Sequence, residues 1–228
     1  MATEGAGMGR VSDTRAWPKR LRLADDFWFV AHDDASGRSR LGTMALGLGL
    51  AGALIGELVL SGSVAVSSGR VLVLNARPLR DPDCQAIVQH MLAEPQHDVR
   101  TWLSYLSHSA EDTVAVRLLR AGLVTRESQR RVFTTAMVHR PVDMSFAFWR
   151  SARLKQVLAA GRVQSDRQDV VLAGLVFSTG LFRAVLLEDF TTADAVLRRR
   201  LMSADRSFRE IIAQVATLVG DAVLAIRG

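Results

Sequence analysis

Apolar and polar positions follow a helical period over most of the chain, and the densest run lies between residues 37 and 75. Leu46, Leu50, Leu54 and Leu58 recur at every fourth position and share one helical face. Gly49, Gly52, Ala53 and Gly56 leave a second face almost without bulk, so other helices can approach this one from more than one side. Ser61-Gly62 supplies a C-terminal stop. Val64 and Val66 then alternate toward a Ser-Gly turn and meet Val71 and Val73, which predicts a two-stranded hairpin after a buried helix.

The same period predicts the other elements. A first helix spans Pro18 to about His32, with Leu21, Leu23, Phe27, Trp28 and Val30 on its apolar face. Another starts at Asp81-Pro82-Asp83, turns Ile87, Val88, Met91 and Leu92 inward and stops before Pro95. Two short helices occupy 98–122, split around Ser107 to Ala110, and Gly122 closes the second. Residues 123–142 alternate and carry turn chemistry at Arg140-Pro141, which predicts an extended or hairpin excursion. Helices follow over Met144 to Ala160, Asp166 to Leu187, Thr192 to Ser203 and Arg206 to Arg227. The fold class expected is therefore mainly α: a single globular helical domain with short β-hairpins over 18–228, preceded by a disordered tail over 1–17 that lacks the apolar core of a secretory signal.

Two sharper readings of the central run are weaker. Gly47, Gly49 and Gly52 satisfy G-x-G-x-x-G, but no strand precedes them and no acidic residue follows at about 20 positions, as a dinucleotide site requires. Leu41 to Leu60 has about the ~20 residues a bilayer span needs. Glu57, the glycines and the hairpin straight after it favour a buried helix of a globular core. Gly52 and Gly56 serve close helix packing in either setting.

With 49% apolar residues the chain has material for a real core, and its single cysteine, Cys84, excludes a disulfide framework and reads as a small buried hydrophobe. The net charge is +6, and of 29 basic residues only Lys19 and Lys155 are lysines. Arginine forks suit phosphate, so nucleic acid and anionic lipid are both compatible partners, although source-genome composition explains such a bias equally well. Histidines 32, 90, 97, 108 and 139 lack metal-ligand spacing, and no nucleophile elbow, P-loop or zinc-protease signature occurs, so neither a metal, a cofactor nor catalysis is expected. Asp25-Asp26 is read as lying near the end of a helix and Asp33-Asp34 in a loop, the latter pair as caps or solvated charge. Glu57 is the exception: a buried carboxylate must be paired or neutral, and its ordinary role is to hold an arginine or backbone donors from a neighbouring helix.

The ordered segments LRLADDFWFVAHDDASGRSR (21–40), GLGLAGALIGELVLSGSV (47–64), AGLVTRE (121–127), VFTTAMVHRPV (132–142) and LLEDF (186–190) resemble the Golgi phosphoprotein 3 family from about Leu21 to Ile226. The resemblance implies a mostly helical single domain, a cytoplasmic protein peripherally attached to membrane, binding of phosphatidylinositol 4-phosphate and no catalysis. It also implies that the hairpin at 130–142 touches membrane or a second subunit. The headgroup pocket it implies, a tryptophan and three arginines, falls here on Gly42, Ala51, His108 and Glu111, and none keeps the expected residue. The usual pocket is thus expected to be lost or rebuilt from Arg38, Arg40 and His108. The arginine bias points to a bacterial member from a GC-rich genome.

Two readings follow. In the first the chain is a peripheral membrane adaptor: Arg38, Arg40, His108, Arg130, Arg131 and Arg140 meet an anionic phospholipid surface, and Phe133, Met137 and Val138 insert into it. The same hairpin could instead form a homo-oligomer as a protein-protein scaffold. The second, a winged-helix DNA binder, rests on TVAVRLLRAGLVTRES followed by a β excursion, but its recognition helix opens on Glu111 and Asp112, which would face phosphate.

Overall fold

The computed structural model describes residues 20–75, 77–130, 135–159, 165–185 and 190–227. The second helix, α2 (Thr43–Leu60), is the axis of the molecule. Around it pack α1 (Leu23–Ala31), α4 (Val99–Ser107), α5 (Ala110–Arg120), α7 (Arg167–Ser178) and α10 (Arg206–Arg227). The glycines explain how so many neighbours fit. A Cβ on Gly49 would sit 2.3 Å from the Phe27 ring, one on Gly52 2.9 Å from Leu175 and Val215, and one on Gly56 2.7 Å from Leu23. At Gly47 the obstacle is backbone, the Ser107 carbonyl oxygen at 2.3 Å. The G-x-G-x-x-G match therefore lies in mid-helix and serves contact. α2 is long and apolar enough to cross a membrane by length and composition, yet 72% of that stretch is buried inside the protein.

The first hairpin pairs β1 (Val64–Ser67) with β2 (Arg70–Val73) in the expected register, Val64 opposite Val73 and Val66 opposite Val71. Its turn places Ser68 and Gly69 at positive φ, the mirror-image geometry that matches strand twist. α3 (Pro82–Ala93) begins under an Asp81 cap, and Ile87, Val88 and Met91 are buried; Leu92 is exposed, because it falls on the outer flank of the stripe. After α5 the second hairpin pairs β3 (Val124–Arg130) with β4 (Thr135–Pro141), Arg130 opposite Thr135. α6 (Met144–Leu158), α8 (Phe182–Val185) and α9 (Phe190–Met202) complete the described elements.

Two boundaries differ from the sequence reading by more than a residue or two. α1 begins at Leu23, five residues after Pro18, since Arg22 is extended with ψ 161°. The single helix expected over 166–187 breaks: Thr179 caps α7 and Gly180 turns out with φ +76° before α8. Glycine meets that left-handed requirement at no steric cost.

Candidate functional site

Three regions carry chemistry worth following: a buried ion cluster, the loop before α2, and the surface where the second hairpin runs into α6.

The cluster is built on Glu57. Its carboxylate accepts the backbone N–H of Ala24 at 2.9 Å, one of the amides that the first turn of α1 leaves unpaired. Negative charge at a helix N-terminus is favourable, so Glu57 acts as a cap supplied from another helix. The Arg117 guanidinium grips Glu57 with two N–H bonds of 3.0 Å and donates to Asp25 at 2.8 Å through Nε. Arg22 bridges Asp81, and the Cys84 thiol donates to Glu57 at 3.4 Å. Burial pushes the Cys84 thiol far above its usual range, so it is a neutral donor. Burial also lifts Asp25 up to about 6, against the pull of Arg117, whose single charge is divided between two carboxylates. Asp26 is likewise pushed up to about 6 by burial, with Arg150 and the Gln168 amide at 2.7 Å opposing. The aspartate pair, read as lying near the end of a helix, therefore occupies the first turn of α1 and is buried there. Sequence held a signal for this, two acids embedded in ADDFWFVA.

The loop at 33–40 was expected to present cations. Arg40 instead turns inward, donating to the Val30 carbonyl at 3.0 Å and lying 3.6 Å from Asp33 and 3.8 Å from Asp34. Arg38 is exposed. His108 folds back on its own helix, its ring 2.7 Å from the Ser104 carbonyl. Arg40 is thus committed within the protein, whereas His108 is exposed with its Nδ1 turned to its own helix. Gly37 fixes the loop against the hairpin: with φ +66° it brings its Cα where a Cβ would be 2.1 Å from the His139 carbonyl oxygen and 3.1 Å from Val138. Val138 is accordingly half-buried against this loop. Burial lowers the His139 pKa, with Arg126 and His32 adding to the effect. Arg140 pairs with Glu127 at 3.3 Å. Met137 projects outward. Arg131, Phe133 and the Arg130 side chain lie outside the described residues.

The third region was missed in the sequence. β4 passes into α6 through Val142 and Asp143, whose carboxylate caps the helix by accepting from Ser145 and Phe146. One side of α6 buries Phe146, Ala147, Leu154 and Leu158. The other holds Met144, Phe148 and Trp149 in the open, with exposures of 60%, 57% and 62%. Together with Ala152 and Gln156 they line an open cleft of about 600 Å³, which Asp34 also lines from the loop. Lys155 is exposed two turns beyond Phe148 on the same face, and Arg126 is exposed on β3.

Among the described residues no group of three or more His, Cys, Asp or Glu is placed to hold a metal ion. The family model for Golgi phosphoprotein 3 matches residues 23–226, from the first residue of α1 into the last turn of α10. The chain belongs to the Golgi phosphoprotein 3 family. No curated protein matches it significantly. Membership of this adaptor-type, non-enzymatic family agrees with the mostly helical architecture, ten described helices and two small antiparallel hairpins. Where the sequence resemblance to the Golgi phosphoprotein 3 family puts a headgroup pocket, Ala51 is fully buried and Gly42 is the exposed N-cap of α2. Glu111 there lies 3.8 Å from the His32 ring.

Proposed function

We propose that the chain is a peripheral membrane adaptor that docks on anionic membrane surfaces through the second hairpin and the open face of α6. The observation that carries this reading is the exposed set Met144, Phe148 and Trp149 on the helix that follows the hairpin, with Lys155 exposed on the same helix and Arg126 exposed on β3. A helix lying at an interface needs such an apolar side and cationic flanks, and tryptophan favours headgroup depth. Each large side chain buried in the interface contributes about 1.5–3 kcal/mol, and each cation near an anionic leaflet about 1 kcal/mol. With Ala51 buried and Glu111 in the place of a cation, the lipid is selected by charge density and not by the stereochemistry of phosphatidylinositol 4-phosphate.

The test is co-sedimentation with phosphatidylcholine vesicles with and without phosphatidylglycerol. The intact protein pellets far more with the anionic mixture, equally well when phosphatidylinositol 4-phosphate supplies the same charge. Phe148→Ser with Trp149→Ser abolishes the gain without lowering the thermal midpoint, both residues being exposed. Unchanged pelleting of that variant overturns the reading. The nucleic-acid alternative loses one of the two cations of its recognition helix, because Arg117 points into the Glu57 cluster and leaves Arg120. Self-association through Met137 is the competing use of the hairpin; a dimer in native mass measurement that Met137→Glu dissociates would favour it.

A further inference from the structure

We infer that the outer flank formed by the end of α3 and by α4 is a binding site for a small quaternary ammonium group, independent of the membrane reading. Four rings and one carboxylate close a circuit there. The His97 and Trp102 rings stand 5.8 Å apart at 82°, Trp102 and Tyr105 5.9 Å apart at 84°, and Tyr105 and His90 6.2 Å apart at 65°. Glu94 lies one helical turn after His90 and completes the circuit at 2.7 Å from His97 Nε2. Near-perpendicular neighbours at these separations act as successive walls. The partly open cavity they line is about 170 Å³ and includes Thr101 in its lining.

Size and chemistry select the ligand. An apolar cavity of ~150 Å³ admits benzene, so this one takes a group of about five heavy atoms such as trimethylammonium. Indole and phenol faces attract a cation whose centre lies within about 6 Å, and a carboxylate on the rim adds charge without requiring a hydrogen-bond donor. A quaternary ammonium has no N–H to satisfy and carries its charge on apolar methyls, which suits aromatic walls better than water. Metal binding is the obvious rival use of His90, Glu94 and His97, but they are not among groups placed to hold an ion. The floor, Trp102, is packed into the core, whereas Tyr105 is about half exposed and can be altered without disturbing the interior.

The experiment is calorimetric titration of the full chain with choline, tetramethylammonium chloride and 3,3-dimethylbutan-1-ol, the uncharged carbon isostere of choline. Choline and tetramethylammonium bind saturably, and the neutral isostere binds at least tenfold more weakly. Tyr105→Ala and Glu94→Gln each weaken choline binding by about fivefold or more while Tyr105→Phe retains it, the phenol hydroxyl not being needed for a cation over the ring. Phosphocholine separates the sources: affinity like that of choline extends the site to lipid headgroups, and loss confines it to free cationic solutes, the cation site standing in both. Equal binding of choline and its neutral isostere, absence of saturable binding, or indifference to both Tyr105→Ala and Glu94→Gln overturns the proposal.

Discussion

Replacing Arg117 by leucine isolates the energetics of the buried cluster. Its guanidinium is 11% exposed, and the carboxylates it serves, Asp25 and Glu57, are 8% and 6% exposed. After the change Glu57 keeps only the Ala24 amide, the Cys84 thiol and Arg22 at 3.7 Å, while Asp25 loses the guanidinium it shared with Glu57. Stranding buried charge in this way costs about 3–5 kcal/mol. That is a large part of the roughly 5–15 kcal/mol that holds a domain together. For a chain of this length it lowers the thermal midpoint by about 6–20 °C, at roughly 2–4 °C per kcal/mol. Glu57→Gln alone is milder, about 1–3 kcal/mol, because the amide oxygen still receives Ala24 N–H and Arg117 keeps Asp25. Urea denaturation of wild type, both single variants and the double variant at pH 7 closes the cycle. The double variant should be more stable than the summed singles by more than 1 kcal/mol, since removing both partners leaves one stranded carboxylate fewer. A loss below 1 kcal/mol for Arg117→Leu, or strict additivity, refutes the assignment of Glu57 as a paired ion and helix cap.

Gly47→Ala places a methyl 2.3 Å from the Ser107 carbonyl oxygen, an atom of backbone that cannot step aside, and should cost about 1–3 kcal/mol or more in urea midpoint analysis. Gly37→Ala meets both a positive φ and the His139 carbonyl; amide exchange should quicken in β3 and β4 while the α2 core stays protected. Asp26, ordinarily near 3.8, titrates at about 6 in the fold, so the folded state holds the proton more tightly and its ionisation opposes folding. That cost is fully present above pH 6 and is relieved between about pH 6 and 4, by about 3 kcal/mol for a shift of that size. The lowered His139 pKa acts in the opposite sense below about 6.5, so the measurement is the difference between wild type and Asp26→Asn in urea midpoints at pH 7 and pH 4.5. Wild type should gain on the variant at the lower pH; a pH-independent difference contradicts the burial argument.

Most of the fold was readable because its signals are local. The leucine and glycine faces of α2, the valine register of β1 and β2, and the Asp81 and Gly122 boundaries are each set by residues within a few positions of one another. The α7 break was missed because Thr179-Gly180 interrupts an apolar run without interrupting its period, and the start of α1 because Pro18 is only one of several permissible first positions. The candidate surface was less legible. Residues 144–149 read Met-Ser-Phe-Ala-Phe-Trp, apolar on every side, and such a sequence does not say which side faces out.

By itself, then, the sequence determined the helical class, the order of elements and the need of Glu57 for a partner, since period and buried charge are properties of short stretches. Only the tertiary structure decided which partner that is, joining Glu57 to Arg117 across 60 residues and Asp25 to Arg117 across 92. It also turned Arg40 inward, seated Val138 against Gly37 and left Phe148 and Trp149 outside. Each of those outcomes depends on what lies across the gap from a side chain, and that is fixed only when distant segments come together.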